Sequence, residues 1–332
     1  MKSNKIITCA SYHGTGSSAI SDLLKEFSNC YSTGEYEFRF IQDPYGISDL
    51  EFHLIENTHR LNSGYFLKKF IQQVDFLSGN KIIKRYERYF NGKFKEYSMQ
   101  YVKNLIEVEW QGESYFELTE SKLFYIQRFI NKIARLISRN NELEVNILRN
   151  NKLYLCKQDK NFFYEQTKEY LYKLFNELNK EKKEFLMLDQ LVPPTNIERY
   201  FNYFYNLKVI VVDRDPRDLY ILQKLYWKDN VFPTDTPSSF VKWFKGTRKN
   251  KIINDNILYL NFEDLIYNYE LTLKKIASFL ETDLSNHTKK FSFFDPKISI
   301  HNTRLWINQK NLSSDIKIIE QELQEYCYES NE

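Results

Sequence analysis

Six small or polar residues near the N-terminus have the types and spacing of an anion-binding loop. They are His13, Gly14, Thr15, Gly16, Ser17 and Ser18. The apolar run Lys5–Ala10 before them is typical of a buried strand, and apolar residues with helical spacing follow from Ile20 to Phe27. Two glycines permit a tight turn, and Ser17 or Ser18 is a suitable N-cap. Backbone amides, hydroxyls and the positive end of the helix dipole would then face a phosphate or a sulfate.

The loop differs from the two commonest nucleotide-binding loops. It lacks the lysine of the Walker A motif, and it lacks the third glycine of the dinucleotide-binding fingerprint. An ordinary strand-to-helix turn is the alternative that this stretch leaves open. The loop therefore predicts an anion, and the choice of anion must come from residues elsewhere in the chain.

Charged side chains alternate with aromatic ones a short distance downstream, from Glu35 to Ile41. The period of two residues is typical of a half-exposed strand. In a parallel sheet we expect the end of this strand to lie beside the end of the first one. Glu35, Glu37 and Arg39 would then face whatever the loop holds. A solvated strand face is the alternative.

Arg214 is the other candidate ligand for an anion. It follows Leu207–Asp213, a continuous apolar run that is typical of a central parallel strand. A guanidinium held at a strand end is suited to bidentate binding of phosphate. The loop and Arg214 would thus hold two phosphate-like groups of one nucleotide. The alternative is an internal salt-bridge cluster within 214–218, a role better suited to Arg217 and Asp218.

The elements that must position these residues alternate between strands and helices. Apolar strand patterns at 5–10, 184–190, 207–213 and 257–260 predict an α/β fold with a mainly parallel sheet. Residues 51–180 have helical spacing instead, which predicts a large helical insertion that packs as a cap on a single domain of 1–332. No repeat or long linker divides the chain.

Composition limits the class of protein. The 332 residues carry a net charge of +3, which favours neither nucleic acid nor anionic lipid as a main partner. The four cysteines and five histidines have no metal-ligand spacing. No apolar stretch approaches the roughly 18 residues of a membrane span. We expect a cytoplasmic protein with reduced thiols and no metal.

Three motifs, taken in order, resemble the P-loop sulfotransferase family in its bacterial form. They are Gly-Thr-Gly-Ser-Ser at 14–18, Arg-Asp-Pro-Arg-Asp at 214–218 and Asn-Phe-Glu-Asp-Leu at 261–265. The resemblance implies a P-loop-type three-layer domain and 3'-phosphoadenosine-5'-phosphosulfate as the sulfuryl donor. It also implies that Gly14 to Ser18 hold the 5'-phosphosulfate and that Arg214 binds the 3'-phosphate. The segment 297–306 resembles the family's late nucleotide-binding segment more weakly, with Ser299 and Asn302 as its ligands.

The chain departs from the family pattern at two positions. Gly14 stands where family loops usually carry lysine or arginine, so His13, Arg39 or another basic residue must supply the positive charge there. Leu222 stands where many members have a serine that contacts the 3'-phosphate. Arg39 is thereby also a candidate substrate-binding residue.

The resemblance implies a carboxylate base at one of two strand ends. The candidates are Glu37, with Glu35 as its neighbour, and Asp189. We favour Glu37 because Phe38 and Phe40 flank Arg39 there and would build a dry pocket. A general base of this kind contributes roughly 10²–10⁴-fold to the rate.

Two other functions fit the sequence less well. Val209–Asp213 resembles a Walker B strand, which would suit a P-loop small-molecule kinase or NTPase. A catalytically degenerate protein that binds a nucleotide or a glycan is the second alternative. For a sulfotransferase, we expect the acceptor to be a sugar of a surface polysaccharide or of its lipid-linked precursor, ahead of a small metabolite. The sequence predicts no oligomeric state.

Overall fold

The protein was analysed as a computed structural model, which describes residues 5–59, 61–80, 82–112, 122–139 and 151–329. The chain forms two compact units. The first, here called the sheet unit, combines Met1–Ile41 with Asn179–Glu332, and the second, the insertion unit, is Gln42–Leu178. No helix among the described residues is both long enough and apolar enough to cross a membrane.

The described strands are β1 (Lys5–Ser11), β2 (Cys30–Glu37), β3 (Ile106–Gly112), β4 (Asn151–Cys156), β5 (Phe185–Asp189), β6 (Leu207–Asp213) and β7 (Ile257–Asn261). The described helices are α1 (Ser17–Lys25), α2 (Ile47–Glu51), α3 (Asn62–Ser78), α4 (Phe94–Leu105), α5 (Lys122–Ser138), α6 (Lys160–Leu178), α7 (Ile197–Phe201), α8 (Pro216–Ile221), α9 (Pro237–Thr247), α10 (Phe262–Tyr267), α11 (Tyr269–Leu280), α12 (Pro296–Ser299) and α13 (Ser313–Glu322).

The sheet unit is built on five parallel strands in the order β2-β5-β1-β6-β7. This confirms the α/β class and the mainly parallel sheet. The expectation that β2 lies beside β1 was wrong, because β5 lies between them. All five residues of β5 are buried, whereas half of the residues of β2 are polar, namely Ser32, Thr33, Glu35 and Glu37. An apolar strand belongs inside the sheet, and a partly polar strand tolerates the edge.

Helices cover this sheet with apolar faces. Alternate residues of β1, such as Ile7 and Cys9, join one core cluster with Ile20 and Leu23 of α1 and Leu273 of α11. A second cluster joins α8, α9 and α13. The sheet and its helices thus form a layered α/β fold in which the strand ends remain accessible.

The insertion unit is helical, as the apolar spacing predicted, and it also contains an antiparallel pair that the sequence did not predict. That pair is β3 with β4, which are far apart in sequence. Between its helices, buried hydroxyls bond to one another, as Tyr101 does with Thr167 at 2.8 Å and Ser98 with Tyr170 at 2.6 Å. Packing of this unit as a cap on the sheet remains a prediction.

Candidate active site

A cleft of about 660 Å³ lies where β1, β2, β5 and β6 end in the sheet unit. This volume is within the range of small-molecule sites. The residues predicted from the sequence that line it are His13, Gly14, Gly16, Ser17, Ser18, Glu37, Arg39, Asp189, Arg214, Ser299 and Asn302. The fold therefore brings together residues from five separate stretches of the chain.

Two of the predicted residues are not among those that line the cleft. Thr15 is fully buried, and its hydroxyl donates to the Val212 carbonyl at 2.6 Å and accepts from the Tyr12 amide at 3.2 Å. Its side chain therefore ties the loop to β6 instead of facing a ligand. Glu35 lies in β2, and its side chain is outside the described part of the chain.

The loop turns into α1 through Gly16 instead of through a serine. Gly16 is the N-cap, with a left-handed φ of 107°, and α1 begins at Ser17. The prediction of Ser17 or Ser18 as the N-cap was wrong, because Gly16 alone adopts the required backbone without a Cβ. A glycine cap supplies no side chain to the first amides of the helix. Gly16, Ser17 and Ser18 line the cleft, so an anion bound there could accept from the uncapped amides at the start of the helix.

Trp227 explains why position 14 has no basic side chain. Gly14 has a φ of 70°, and a Cβ built on it would lie 2.3 Å from the Trp227 ring. Trp227 ends a π-helical stretch, Leu222–Trp227, that follows α8. The tryptophan ring thus occupies the direction that a lysine would take. The basic residues that line the cleft are His13, Arg39 and Arg214.

Asp189 is a buried acid that lines the cleft. It ends β5, is 2% exposed, and accepts from the Ser17 hydroxyl at 3.1 Å. Its other carboxylate oxygen is buried and has no hydrogen-bond partner. Burial raises the pKa of Asp189 to about 7; the nearby Glu37 adds to this rise, and the Ser17 hydrogen bond opposes it. A carboxyl group of this kind can take up a proton near neutral pH.

Glu37 lies opposite Asp189 in the register of β2 and β5, so the two candidate bases are neighbours. Their environments differ, because the Glu37 side chain is 48% exposed and lies 3.8 Å from Arg39. Phe38 and Phe40 are buried in the core on the alternate positions. The dry surroundings expected for Glu37 are therefore found at Asp189.

Arg214 joins the loop to the late segment of the chain. Its guanidinium donates to the Gly14 carbonyl at 3.3 Å and to the Asn302 carbonyl, and it stacks 4.6 Å above the Phe262 ring. The side chain is 6% exposed, and its Nε is buried with no hydrogen-bond partner. Burial lowers the pKa of Arg214, and the charge of Glu263 is the largest effect that opposes this. One donor of a pinned guanidinium thus remains unsatisfied beside the cleft.

The neighbouring charges form the internal cluster that the sequence left open for 214–218. Arg217 donates to both carboxylate oxygens of Asp215, at 3.0 and 2.7 Å, and to Glu320 at 2.6 Å. Asp218 instead accepts from the backbone amides of Arg304 and Leu305, at 2.7 and 2.6 Å. These bonds hold the turn together, so Arg217 is a structural residue.

The cleft also contains residues that sequence reasoning missed. Gln190 follows Asp189 with a left-handed φ of 54° and donates to Ser11 and, at 3.3 Å, to Ser17. A polar residue directly after an apolar strand indicates a possible ligand site, and this signal could have identified Gln190 from the sequence. Trp227, Phe293 and Phe294 also line the cleft. Nothing local in the sequence ties these aromatic residues to the loop.

The chain was compared with known proteins, and neither the protein-family models nor the curated proteins gave a match. Solved structures did. The sulfotransferase domain from the curacin biosynthetic pathway is 15% identical with a TM-score of 0.39, over 97% of this chain and 98% of that one. The sulfotransferase domain from the Synechococcus PCC 7002 olefin synthase is 12% identical with a TM-score of 0.40, over 99% and 97%.

A sulfotransferase from Mycobacterium avium is 11% identical with a TM-score of 0.37, over 98% of this chain and 76% of that one. All three are sulfotransferases.

Proposed function

We propose that the chain is a sulfotransferase that moves a sulfuryl group from 3'-phosphoadenosine-5'-phosphosulfate to a hydroxyl or amine of an acceptor, a carbohydrate in our expectation. The observation that carries this proposal is the convergence of the glycine loop, buried Asp189 and pinned Arg214 on one cleft. An anion cradle, a base with a pKa near neutrality and a second anion ligand are the parts that such a transfer needs.

In the proposed reaction the acceptor oxygen or nitrogen attacks the sulfur of the donor. A bond forms between them, and the bond from sulfur to the phosphate oxygen breaks to release 3',5'-diphosphoadenosine. The acceptor proton passes to the carboxylate of Asp189, which we prefer to Glu37 because it is buried beside Ser17. Backbone amides of the loop, together with His13 and Arg39, would stabilise the negative charge in the transition state, while Arg214 would hold the 3'-phosphate.

The first test concerns Arg214 and the affinity for 3',5'-diphosphoadenosine, the nucleotide that the donor leaves after transfer. Arg214→Ala should weaken 3',5'-diphosphoadenosine by roughly one to two decades, since a charge-assisted contact contributes about 1.5–3 kcal/mol. Binding of adenosine 5'-phosphate should change little, because it lacks the 3'-phosphate. Titration calorimetry of both nucleotides measures the difference, with Arg217→Ala as the comparison because Arg217 is engaged by Asp215. Equal losses for both nucleotides in Arg214→Ala would remove the 3'-phosphate role.

We also predict that turnover needs no divalent metal. The loop has no lysine–serine pair for a magnesium nucleotide, and basic side chains are present to offset the donor's charge. Labelled sulfur transfer measured with excess chelator should match the untreated rate. Loss of transfer with chelator and recovery with magnesium would overturn the prediction of metal independence.

The kinase alternative has one further observation against it. Asp213, the residue at the Walker B position, receives two hydrogen bonds of 2.7 Å from Arg248. A carboxylate engaged in this way is poorly placed to hold a magnesium ion. Incubation with donors labelled in phosphate and in sulfur separates the three functions. A kinase would move phosphate, a sulfotransferase would move sulfur, and a degenerate binder would move neither.

A further inference from the structure

Helix α5 of the insertion unit has one apolar face and one basic face. Ile126, Ile130, Ile133 and Ile137 recur at the spacing of a single helical stripe. The exposed apolar side chains of the helix are Tyr125, Ile126, Phe129, Ile133, Leu136 and Ile137. Leu136 and Ile137 are 71% and 79% exposed, far more than a core-facing stripe requires. The apolar face is therefore accessible over several turns.

The charges on this segment have a single sign. Residues 122–139 include Lys122, Arg128, Lys132, Arg135 and Arg139 and no aspartate or glutamate. The last four recur at intervals of three or four residues, so they form a basic stripe on the side away from the isoleucines. The whole chain has a net charge of only +3, so these five basic residues are a local concentration. An apolar face beside a purely basic one is complementary to an anionic, partly apolar surface.

We propose that α5 binds in the plane of a membrane whose surface contains anionic phospholipids. The helix has 17 residues, which is about 25 Å, and its basic residues recur along its length, so it would lie in the interface instead of crossing it. Its apolar face would enter the boundary between headgroups and acyl chains while the basic stripe contacts lipid phosphates. A second copy of the chain fits less well, because pairing through the apolar face would leave the basic stripe unused, whereas an anionic membrane is complementary to both faces.

Vesicle binding does not depend on the proposed function. Its consequence for the reaction does, because membrane attachment would bring a sulfotransferase to acceptors that are carried on lipid. Membrane binding is tested without any transfer assay. Failure of vesicle binding would therefore leave the proposed activity standing, and failure of the activity would leave membrane binding standing.

The test is cosedimentation of the full chain with vesicles of phosphatidylcholine alone and of phosphatidylcholine with phosphatidylglycerol. We expect binding to the anionic vesicles that weakens as salt is raised, and little binding to the neutral ones. Leu136→Asp should weaken binding at least about tenfold, because it removes an apolar side chain that would enter the membrane and adds a charge that anionic lipid repels. The matched control is Leu271→Asp in α11, since Leu271 is 70% exposed and Leu136 is 71% exposed.

The basic stripe is tested separately with Arg128→Gln combined with Lys132→Gln. Losing one basic residue should weaken binding to anionic vesicles about fivefold, so the double variant should bind them roughly 25-fold more weakly. Circular dichroism and nucleotide binding check that the variants fold. Absent binding by the unmodified chain, equal binding to neutral vesicles, or equal losses in Leu136→Asp and Leu271→Asp would each overturn the proposal. A dimer that Leu136→Asp dissociates in the absence of vesicle binding would identify a second copy as the partner instead.

Discussion

Asp189→Asn should lower the rate of sulfuryl transfer by about 10²–10⁴-fold while leaving the affinity for 3',5'-diphosphoadenosine nearly unchanged. An amide keeps the size of the side chain and can still accept from the Ser17 hydroxyl, but it cannot take the acceptor's proton at neutral pH. Single-turnover transfer of labelled sulfur measures the loss, and calorimetry measures the affinity. Glu37→Gln is the matched control, because Glu37 lies opposite Asp189 in the register and is exposed.

The same carboxyl group sets a pH dependence. Because burial raises the pKa of Asp189 to about 7, its base form is lost as the pH falls through that value. Turnover of the unmodified chain should therefore decline below about pH 7, and the residual activity of Asp189→Asn should lack this decline. If Glu37→Gln is inactive and Asp189→Asn is active, the base is Glu37. If both variants keep full activity, transfer does not use a carboxylate base.

Gly14→Lys, which would introduce the basic residue usual in sulfotransferase loops, should damage the site instead of improving it. Any side chain at this position meets the Trp227 ring at 2.3 Å and must adopt a φ of 70°. Overpacking costs about 1–3 kcal/mol and the left-handed backbone about 1–2 kcal/mol, so Gly14→Ala already should weaken nucleotide binding at least about tenfold. Calorimetry with 3',5'-diphosphoadenosine measures the loss of affinity, and thermal unfolding measures the loss of stability.

Two other glycines separate the causes of this effect. Gly34 has a φ of 74° with no atom within 4 Å of a built Cβ, so Gly34→Ala tests backbone strain without the clash. Gly246 has neither feature, so Gly246→Ala should be neutral or stabilising. Combining Gly14→Ala with Trp227→Ala should recover part of the lost affinity. If Gly14→Lys instead binds nucleotide more tightly than the unmodified chain, the tryptophan does not occupy the position of the missing lysine.

Local patterns in the sequence were sufficient to predict the α/β class and most of the cleft. The glycine loop, Arg214 and Asp189 each stand directly at the end of an apolar run, and parallel strands align such ends on one edge of the sheet. The proposed role of the loop as an anion cradle also follows from local conformation, because glycines and a helix start determine where the amides point. These features depend on residues close together in the chain, which is why the sequence alone predicted them.

The tertiary structure decided what depends on contacts between distant residues. Strand order placed β5 inside the sheet, and this made Asp189, not Glu37, the buried carboxylate. Trp227 is far from Gly14 in sequence, and only the fold places its ring against Gly14. The absence of a loop lysine therefore had no explanation in the local sequence. The helical spacing of α5 likewise did not reveal that its apolar face is exposed, because a buried helix has the same spacing. Burial and close packing depend on contacts throughout the fold, so they cannot be predicted from a short stretch of sequence.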